Sequence, residues 1–326
     1  MSWFIYSLIC LLGWGCADLF YKMGTDKNDR YSHLKIAVWV GLVMGVSAFL
    51  LMPFAETGFS IGSLIANAVK YLPVSFFYIA SMVIGYAGLR YLELSIISPI
   101  QNTSGALSTI LMLIFFLTVG RINSFSEAFS LLDIAGTLLV VIGVVSLAVV
   151  EQHLKKKEQR AIAADDSVAA ENRKYRFGAL ALLFPLLYCV FDTIGTAADG
   201  IILDEETGLN LGEIDVIILY GLTFLFAGII AWIFLWMKRK KPYNPFAKKE
   251  LAKGVAACCE ELGQVFYVYA MASRPMLTAP MVASYCIVSV ILSRIFLKEK
   301  LTKGQYACVI VVIAGILLLG VSEGMA

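Results

Sequence analysis

Long apolar runs recur along the chain at a steady interval, broken by short polar connectors. A bilayer core of ~30 Å takes about 20 apolar residues per helix. Ten runs of that kind are present: Trp3–Tyr21, Leu34–Pro53, Tyr71–Tyr91, Ser95–Val119, Leu131–Val150, Phe177–Ala198, Val216–Met237, Leu251–Met271, Met276–Leu297 and Gln305–Val321. The pattern predicts an all-α integral membrane protein with ten transmembrane helices. What lies between the runs is too short for a separate soluble domain. The first run lacks a basic leading segment and carries Asp18 and Lys22, so it reads as a spanning helix and not a removable signal peptide.

The connectors carry the charge. The longest, Glu151–Arg176, reads as a soluble linker, dividing the chain into 1–150, 151–176 and 177–326. If ten helices alternate, the connectors after helices 1, 3, 5, 7 and 9 share one side. That side takes all 26 basic residues except Lys70, Arg121 and Arg274. Lys and Arg stay cytoplasmic. The expected location is a multi-pass plasma-membrane protein with both termini extracytoplasmic.

The two halves resemble each other. A shift of 174 residues lays Trp14-Gly15-Cys16-Ala17-Asp18 on Tyr188-Cys189-Val190-Phe191-Asp192. A shift of 181 lays Ile97-Ser98-Pro99-Ile100 on Thr278-Ala279-Pro280-Met281, Tyr86 on Tyr267 and Ser108 on Ser289. Five helices per half is an odd number, so the second half sits upside down. Inverted repeats of this kind recur in carriers, with the substrate site near mid-membrane between the halves.

Two segments carry a family likeness: Ile79–Phe116 and Tyr269–Leu319. Each holds a helix of small residues, a tight turn and a proline in the next helix. The second continues into a charged connector, Lys298-Glu299-Lys300, and a glycine-containing last helix; in the first, Arg121 lacks the neighbouring glutamate. The chain resembles the ten-helix, EamA-type members of the drug/metabolite transporter superfamily. That resemblance implies secondary transport by two inverted five-helix repeats. It also implies, from many members, cytoplasmic termini, opposite to the charge distribution.

Composition narrows the field. The chain is 60% apolar and 15% charged, with a mean hydropathy of +0.81 and a formal charge of +2. A typical soluble domain is about 25% charged. A nucleic-acid partner is excluded, and an ordinary soluble enzyme fits poorly. All seven cysteines fall in apolar runs, which opposes a disulfide framework. His33 and His153 lie in polar connectors and assemble no metal site. No phosphate-binding loop or zinc-protease or hydrolase motif is present, and no cofactor is expected.

Four carboxylates lie where lipid should be: Asp18, Asp192, Glu260 and Glu261. Each costs roughly 2.5–3.5 kcal/mol on insertion scales unless it faces a cavity or a partner. Asp18 shares a helix face with Trp14 and Tyr21. Asp192 shares one with Phe184, Tyr188, Gly195 and Asp199. Glu260 continues into Gln264, Tyr267 and Met271, whereas Glu261 continues into the apolar Val265 and Val268. Helix 4 offers Gln101, Ser104 and Ser108 on one face; helix 9 offers Tyr285 and Ser289. A carboxylate beside indole and phenol rings suits a cation.

The candidate substrate-binding set is therefore Trp14, Asp18, Tyr21, Tyr86, Gln101, Ser104, Tyr188, Asp192, Glu260, Gln264, Tyr267 and Tyr285. Glu260, Asp18 and Asp192 are the candidate proton carriers. Structural readings stay open beside these. Asp18 could pair with Lys22, Asp192 could pair across helices, Glu260 and Glu261 could be neutral interhelical hydrogen-bond donors, and the serines could pack close helices. Pro99, Pro185 and Pro280 should kink their helices. Gly41/Gly45 and Gly136/Gly143 should pack helices, the latter pair in an oligomer contact as an alternative.

Together these features predict a carrier, not an enzyme, moving a small cationic or zwitterionic metabolite such as an amine, quaternary ammonium compound or amino acid. Its partners would be that small molecule, protons and the lipid bilayer, with the chain a monomer or weak homodimer. The alternatives are a carrier of neutral or anionic metabolites with structural carboxylates, a membrane-embedded hydrolase, a channel, and a non-transporting receptor.

Overall fold

The structure is a computed structural model and describes residues 2–26, 28–55, 60–92, 94–124, 129–163, 181–204, 206–209, 211–240 and 242–325. The described residues form ten long helices: α1 (Trp3–Gly24), α2 (Ser32–Leu51), α3 (Ile61–Gly88), α4 (Leu94–Gln101 and Ser104–Thr118), α5 (Leu131–Ala163), α6 (Leu183–Ile202), α7 (Glu213–Arg239), α8 (Leu251–Ser273), α9 (Pro275–Ala283, Tyr285–Leu292 and Ser293–Leu297) and α10 (Lys303–Met325). Nine of them are long and apolar enough to cross a membrane by length and composition. The tenth, α8, carries Lys253, Glu260 and Glu261 within its apolar length.

Two boundaries depart from the hydropathy pattern. α3 starts at Ile61 rather than Tyr71, because Asn67 and Lys70 sit in a helical lead-in instead of ending the helix. α5 runs past Val150 to Ala163, so the start of the expected linker continues a helix. The rest of that linker, 164–176, and the expected first residues of the sixth helix, 177–180, lie outside the described residues. Pro185 falls in the first turn of α6, directly after a break at Leu182 that separates α6 from helical Ala181, the residue whose carbonyl its missing N–H would otherwise use.

Pro99 and Pro280 do interrupt their helices. α4 breaks at Asn102–Thr103 and α9 breaks at Ser284. The shift of 181 residues that aligns the two prolines also carries Thr103 onto Ser284. A proline removes a backbone hydrogen bond, and each half spends that loss at the same place.

The helix pairings obey the same exchange. α1 packs on α8 and α3 on α6; α1 packs on α9 and α6 on α4; α2 packs on α8 and α7 on α3. Swapping each helix for its counterpart five places along turns the first member of every pair into the second. The pairs α2–α7, α5–α10 and α4–α9 map onto themselves. Glycines bring the self-paired helices close. A Cβ on Gly41 would lie 2.9 Å from the Cα of Gly228, one on Gly136 would lie 3.0 Å from the Gly315 carbonyl, and one on Gly143 would lie 3.1 Å from the Val312 nitrogen. Gly136 and Gly143 thus pack α5 against α10 within the chain.

Charge collects at the two ends of the bundle. At one end, the α1–α2 and α7–α8 connectors meet through Asp29 and Arg239, while Lys35 binds Asp29 at 2.9 Å and Glu250 at 2.7 Å. Glu250 also binds Lys253 at 2.6 Å. This basic end opposes one where Arg121 meets Asp204 at 3.3 Å and Trp3 of α1 meets Glu323 of α10.

Burial pushes the Glu250 carboxyl up, but hydrogen bonds from Lys253 and Lys35 outweigh it and hold the group below its ordinary value of 4.5. The unfolded chain therefore binds more protons as pH falls to that ordinary value, and the stabilisation is lost on further acidification through the lower folded value. Thermal unfolding in detergent should show it: melting falls as pH drops below 4.5, and Glu250→Gln removes that component. At neutral pH, Glu250→Gln should cost about 3 kcal/mol, because buried Lys253 loses its carboxylate.

Candidate functional site

A cavity of about 40 Å³ lies at the centre of the bundle, bordered by α1, α3, α4, α6, α8 and α9. α1 contributes Trp14, Asp18 and Tyr21. α3 contributes Tyr78, Met82, Gly85 and Tyr86, and α4 contributes Gln101, Asn102, Ser104 and Gly105. Tyr188, Asp192 and Thr196 come from α6, Glu260 and Tyr267 from α8, and Ala279, Val282, Ala283 and Tyr285 from α9. A water needs about 10–15 Å³ of such space, so the cavity has room for a few waters.

Each aspartate is oriented by hydroxyls at a helix break. Asp18 Oδ2 accepts from Ser98 Oγ of α4 at 2.6 Å and from Ser289 Oγ of α9 at 2.7 Å. Asp192 Oδ2 accepts from Ser104 Oγ at 2.6 Å. These donors are neutral. Lys22, one turn beyond Asp18, donates to the Leu89 carbonyl at 2.8 Å and to that of Leu92. Ser108 donates to the Ser104 and Thr193 carbonyls at 2.9 and 3.2 Å, which is a packing role.

Aromatic rings close the walls. Trp14 lies 5.1 Å from Tyr267 and 5.7 Å edge-on from Tyr285, and its Nε1 donates to the Glu260 carbonyl at 3.2 Å. Tyr21 and Tyr86 lie 4.9 Å apart. Tyr78 Oη approaches Glu260 Oε1 at 3.5 Å. Close helix contact sets this geometry: a Cβ on Gly13 would lie 3.0 Å from the Cys259 carbonyl and 3.1 Å from the Gly263 nitrogen, so α1 and α8 nearly touch backbone to backbone beside Trp14. Among the described residues that line the cavity there are three carboxylates and no Lys, Arg or His. Tyr21 Oη, Tyr86 Oη and Gln101 Nε2 are buried there without a hydrogen-bond partner among the described residues.

Residues 207–321 match the model of the EamA-like transporter family. That match indicates a membrane transporter of the drug/metabolite superfamily. The family match lies in the second half, where Pro280, the charged connector and the last helix carry the resemblance. No curated protein matches the chain. Among solved structures 24 chains match. One, described only as a crystal structure of a protein, superposes with a TM-score of 0.58 over 97% of this chain and 96% of its own, at 12% identity. At that identity the likeness is one of fold.

Eleven of the twelve residues expected at the site line one cavity. Gln264 does not. It is fully buried, and neither its Oε1 nor its Nε2 has a hydrogen-bond partner among the described residues. Phe184, expected on the Asp192 face, stacks instead on Tyr91 with ring centroids 5.4 Å apart. Asp199 is fully buried and accepts from Tyr71 outside the cavity. Glu261 points at Ser47 of α2. Sequence reasoning missed Tyr78, Met82 and Thr196 as cavity residues. Tyr78, Met82 and Tyr86 recur at helical spacing on α3, a signal that single residues do not carry.

Gly13→Leu should push α1 off α8 and cost about 1–3 kcal/mol, as overpacking of a close contact does. Thermal unfolding in detergent reads this out. Gly324→Leu, where an added Cβ meets nothing within 4 Å, should leave melting unchanged.

Proposed function

We propose that this protein moves a small cationic or zwitterionic metabolite across the plasma membrane by alternating access, coupled to protons. The observation that carries the reading is the convergence of Asp18, Asp192 and Glu260 on one cavity with ring walls and no cationic lining residue among those described. A guest amine or quaternary ammonium would meet the negative faces of Trp14, Tyr188 and Tyr267, worth roughly 0.5–2 kcal/mol each according to desolvation. The carboxylates supply net charge. In a low-dielectric site that charge tolerates either a bound proton or a bound cation, and exchange between the two couples their flows. A cavity of about 40 Å³ admits a metabolite only when helices part. The breaks in α4 and α9 give those helices a hinge at mid-membrane. The Lys- and Arg-rich end faces the cytoplasm in this reading, which leaves the termini outside.

A second reading rests on the serine hydroxyls. Ser98, Ser289 and Ser104 satisfy Asp18 and Asp192 within the protein, as they would if the aspartates served structure and the guest were neutral or anionic. Uptake of radiolabelled tetramethylammonium into proteoliposomes separates the two. Asp18→Asn and Asp192→Asn should each cut uptake about tenfold, equivalent to about 1.4 kcal/mol of lost guest stabilisation, and should flatten its pH dependence. Unchanged uptake in both variants, with thermal stabilisation by organic anions and not by amines, would establish the second reading instead.

A further inference from the structure

α3 presents three phenols on its inner face. Tyr71, Tyr78 and Tyr86 are all buried, and the 15 residues from first to last climb about 22 Å along the helix axis, most of the hydrocarbon thickness. Two of these phenols stand on a carboxyl group from another helix. Tyr86 lies against Tyr21, one turn from Asp18, towards the basic end. Tyr78 approaches Glu260 at mid-membrane. Tyr71 donates to Asp199 Oδ1, three residues before the end of α6, towards the end that holds Asp204. Tyr220 of α7 joins the last two, with ring centroids 5.2 Å from Tyr71 and 5.4 Å from Tyr78.

Asp199 is the group this arrangement leaves unexplained. It is fully buried, it does not line the cavity, and its Oδ2 has no hydrogen-bond partner among the described residues. Phenols face it from three helices, Tyr71 on α3, Tyr220 on α7 and Tyr267 on α8. At the neighbouring Gly200, α4 presents Met112 and α9 presents Pro275, neither of them titratable. The nearest carboxyl on its own helix is Asp192, two turns away. Ser75, between Tyr71 and Tyr78 on α3, is also fully buried with an unpartnered Oγ. An unpaired carboxyl in hydrocarbon, ringed by hydroxyls, is a site for a proton.

The geometry points to a proton path along α3, running between Asp199 and Glu260 through the phenols of Tyr71, Tyr220 and Tyr78. Protonated Asp199 gives its proton to a phenol oxygen while that phenol releases its own proton onward, and the last phenol in the chain delivers one to the Glu260 carboxylate. Each phenol ends neutral, and one proton has passed from one carboxyl to the other. Asp199 is thus the proton-exchanging group towards the end opposite the basic connectors, separate from the guest cavity. The inference rests on the proton-coupled reading above and names the route that coupling takes.

The test uses the full chain in proteoliposomes, with radiolabelled tetramethylammonium and an internal pH-reporting dye. Asp199→Asn and Tyr220→Phe should retain tetramethylammonium exchange in the absence of a gradient. Both should lose accumulation driven by a pH difference, down to the level of protein-free liposomes, together with the dye-reported proton flux. Asp199→Glu should restore it. Infrared difference spectra on acidification, which need no guest, should show a carboxyl band in wild type that is missing in Asp199→Asn. PH-driven accumulation that survives Asp199→Asn, identical infrared spectra, or parallel loss of exchange and coupling that Asp199→Glu does not rescue would each overturn the path while leaving the coupled reading intact. A wild-type protein that exchanges tetramethylammonium but shows no pH-driven accumulation would overturn the coupled reading and the path together.

Discussion

Hydrocarbon punishes an ionisable side chain that has no partner, and this constraint organises the bundle. Asp18, Asp192, Glu260 and Asp199 are held away from lipid by placing all four in the seam between the halves. Their immediate partners are hydroxyls and not cations: Ser98 and Ser289 for Asp18, Ser104 for Asp192, Tyr78 for Glu260 and Tyr71 for Asp199. Hydroxyls orient a carboxyl without neutralising it. The cations sit elsewhere, in ion pairs at the bundle ends, where Lys35, Lys253 and Arg239 bind Glu250 and Asp29. The two signs are thereby separated between the core and the bundle ends.

The inverted duplication explains why the acidic core is central. Two copies of a five-helix unit, one upside down, bring α1 and α6 to the same cavity from opposite directions, each with an aspartate and an aromatic four residues before it. The same exchange puts the breaks of α4 and α9 face to face. The copies are not equal. Asp18 binds a serine from each broken helix, whereas Asp192 binds a single serine from α4. Glu260 on α8 has no carboxylate at its counterpart in α3, where Ile79 stands under the shift of 181 residues. The segment that matches the EamA-like family model, 207–321, holds Glu260, and Asp199 lies just before it.

Close packing then converts these placements into geometry. Gly13 against Gly263 sets the depth at which Trp14 enters, and Gly85, where a Cβ would lie 2.7 Å from Tyr188 and 2.8 Å from Gln101 Nε2, leaves the space in which those two side chains meet. Polar contacts also join helices: Lys22 on the Leu89 and Leu92 carbonyls, Glu299 on the Leu94 N–H, and Thr109 on the Met276 carbonyl.

The ten apolar runs, the duplication and most of the cavity could be read from the residues alone. Span length follows from bilayer thickness, and a carboxylate or ring at helical spacing within an apolar run has few places to go. Trp14, Asp18 and Tyr21 are one face by arithmetic, as are Tyr188 and Asp192. What the pattern could not supply was which face of a helix each neighbour covers. Glu260, Gln264 and Tyr267 share a stripe, yet the first and last reach the cavity and Gln264 between them does not. Asp199 shares the Asp192 face, yet it meets Tyr71 and Tyr220, which lie 128 residues and 21 residues away in the chain. Helical periodicity is a local property of a single segment; the partners of a buried polar group are set by packing between segments, and that is decided only when the ten helices close on one another.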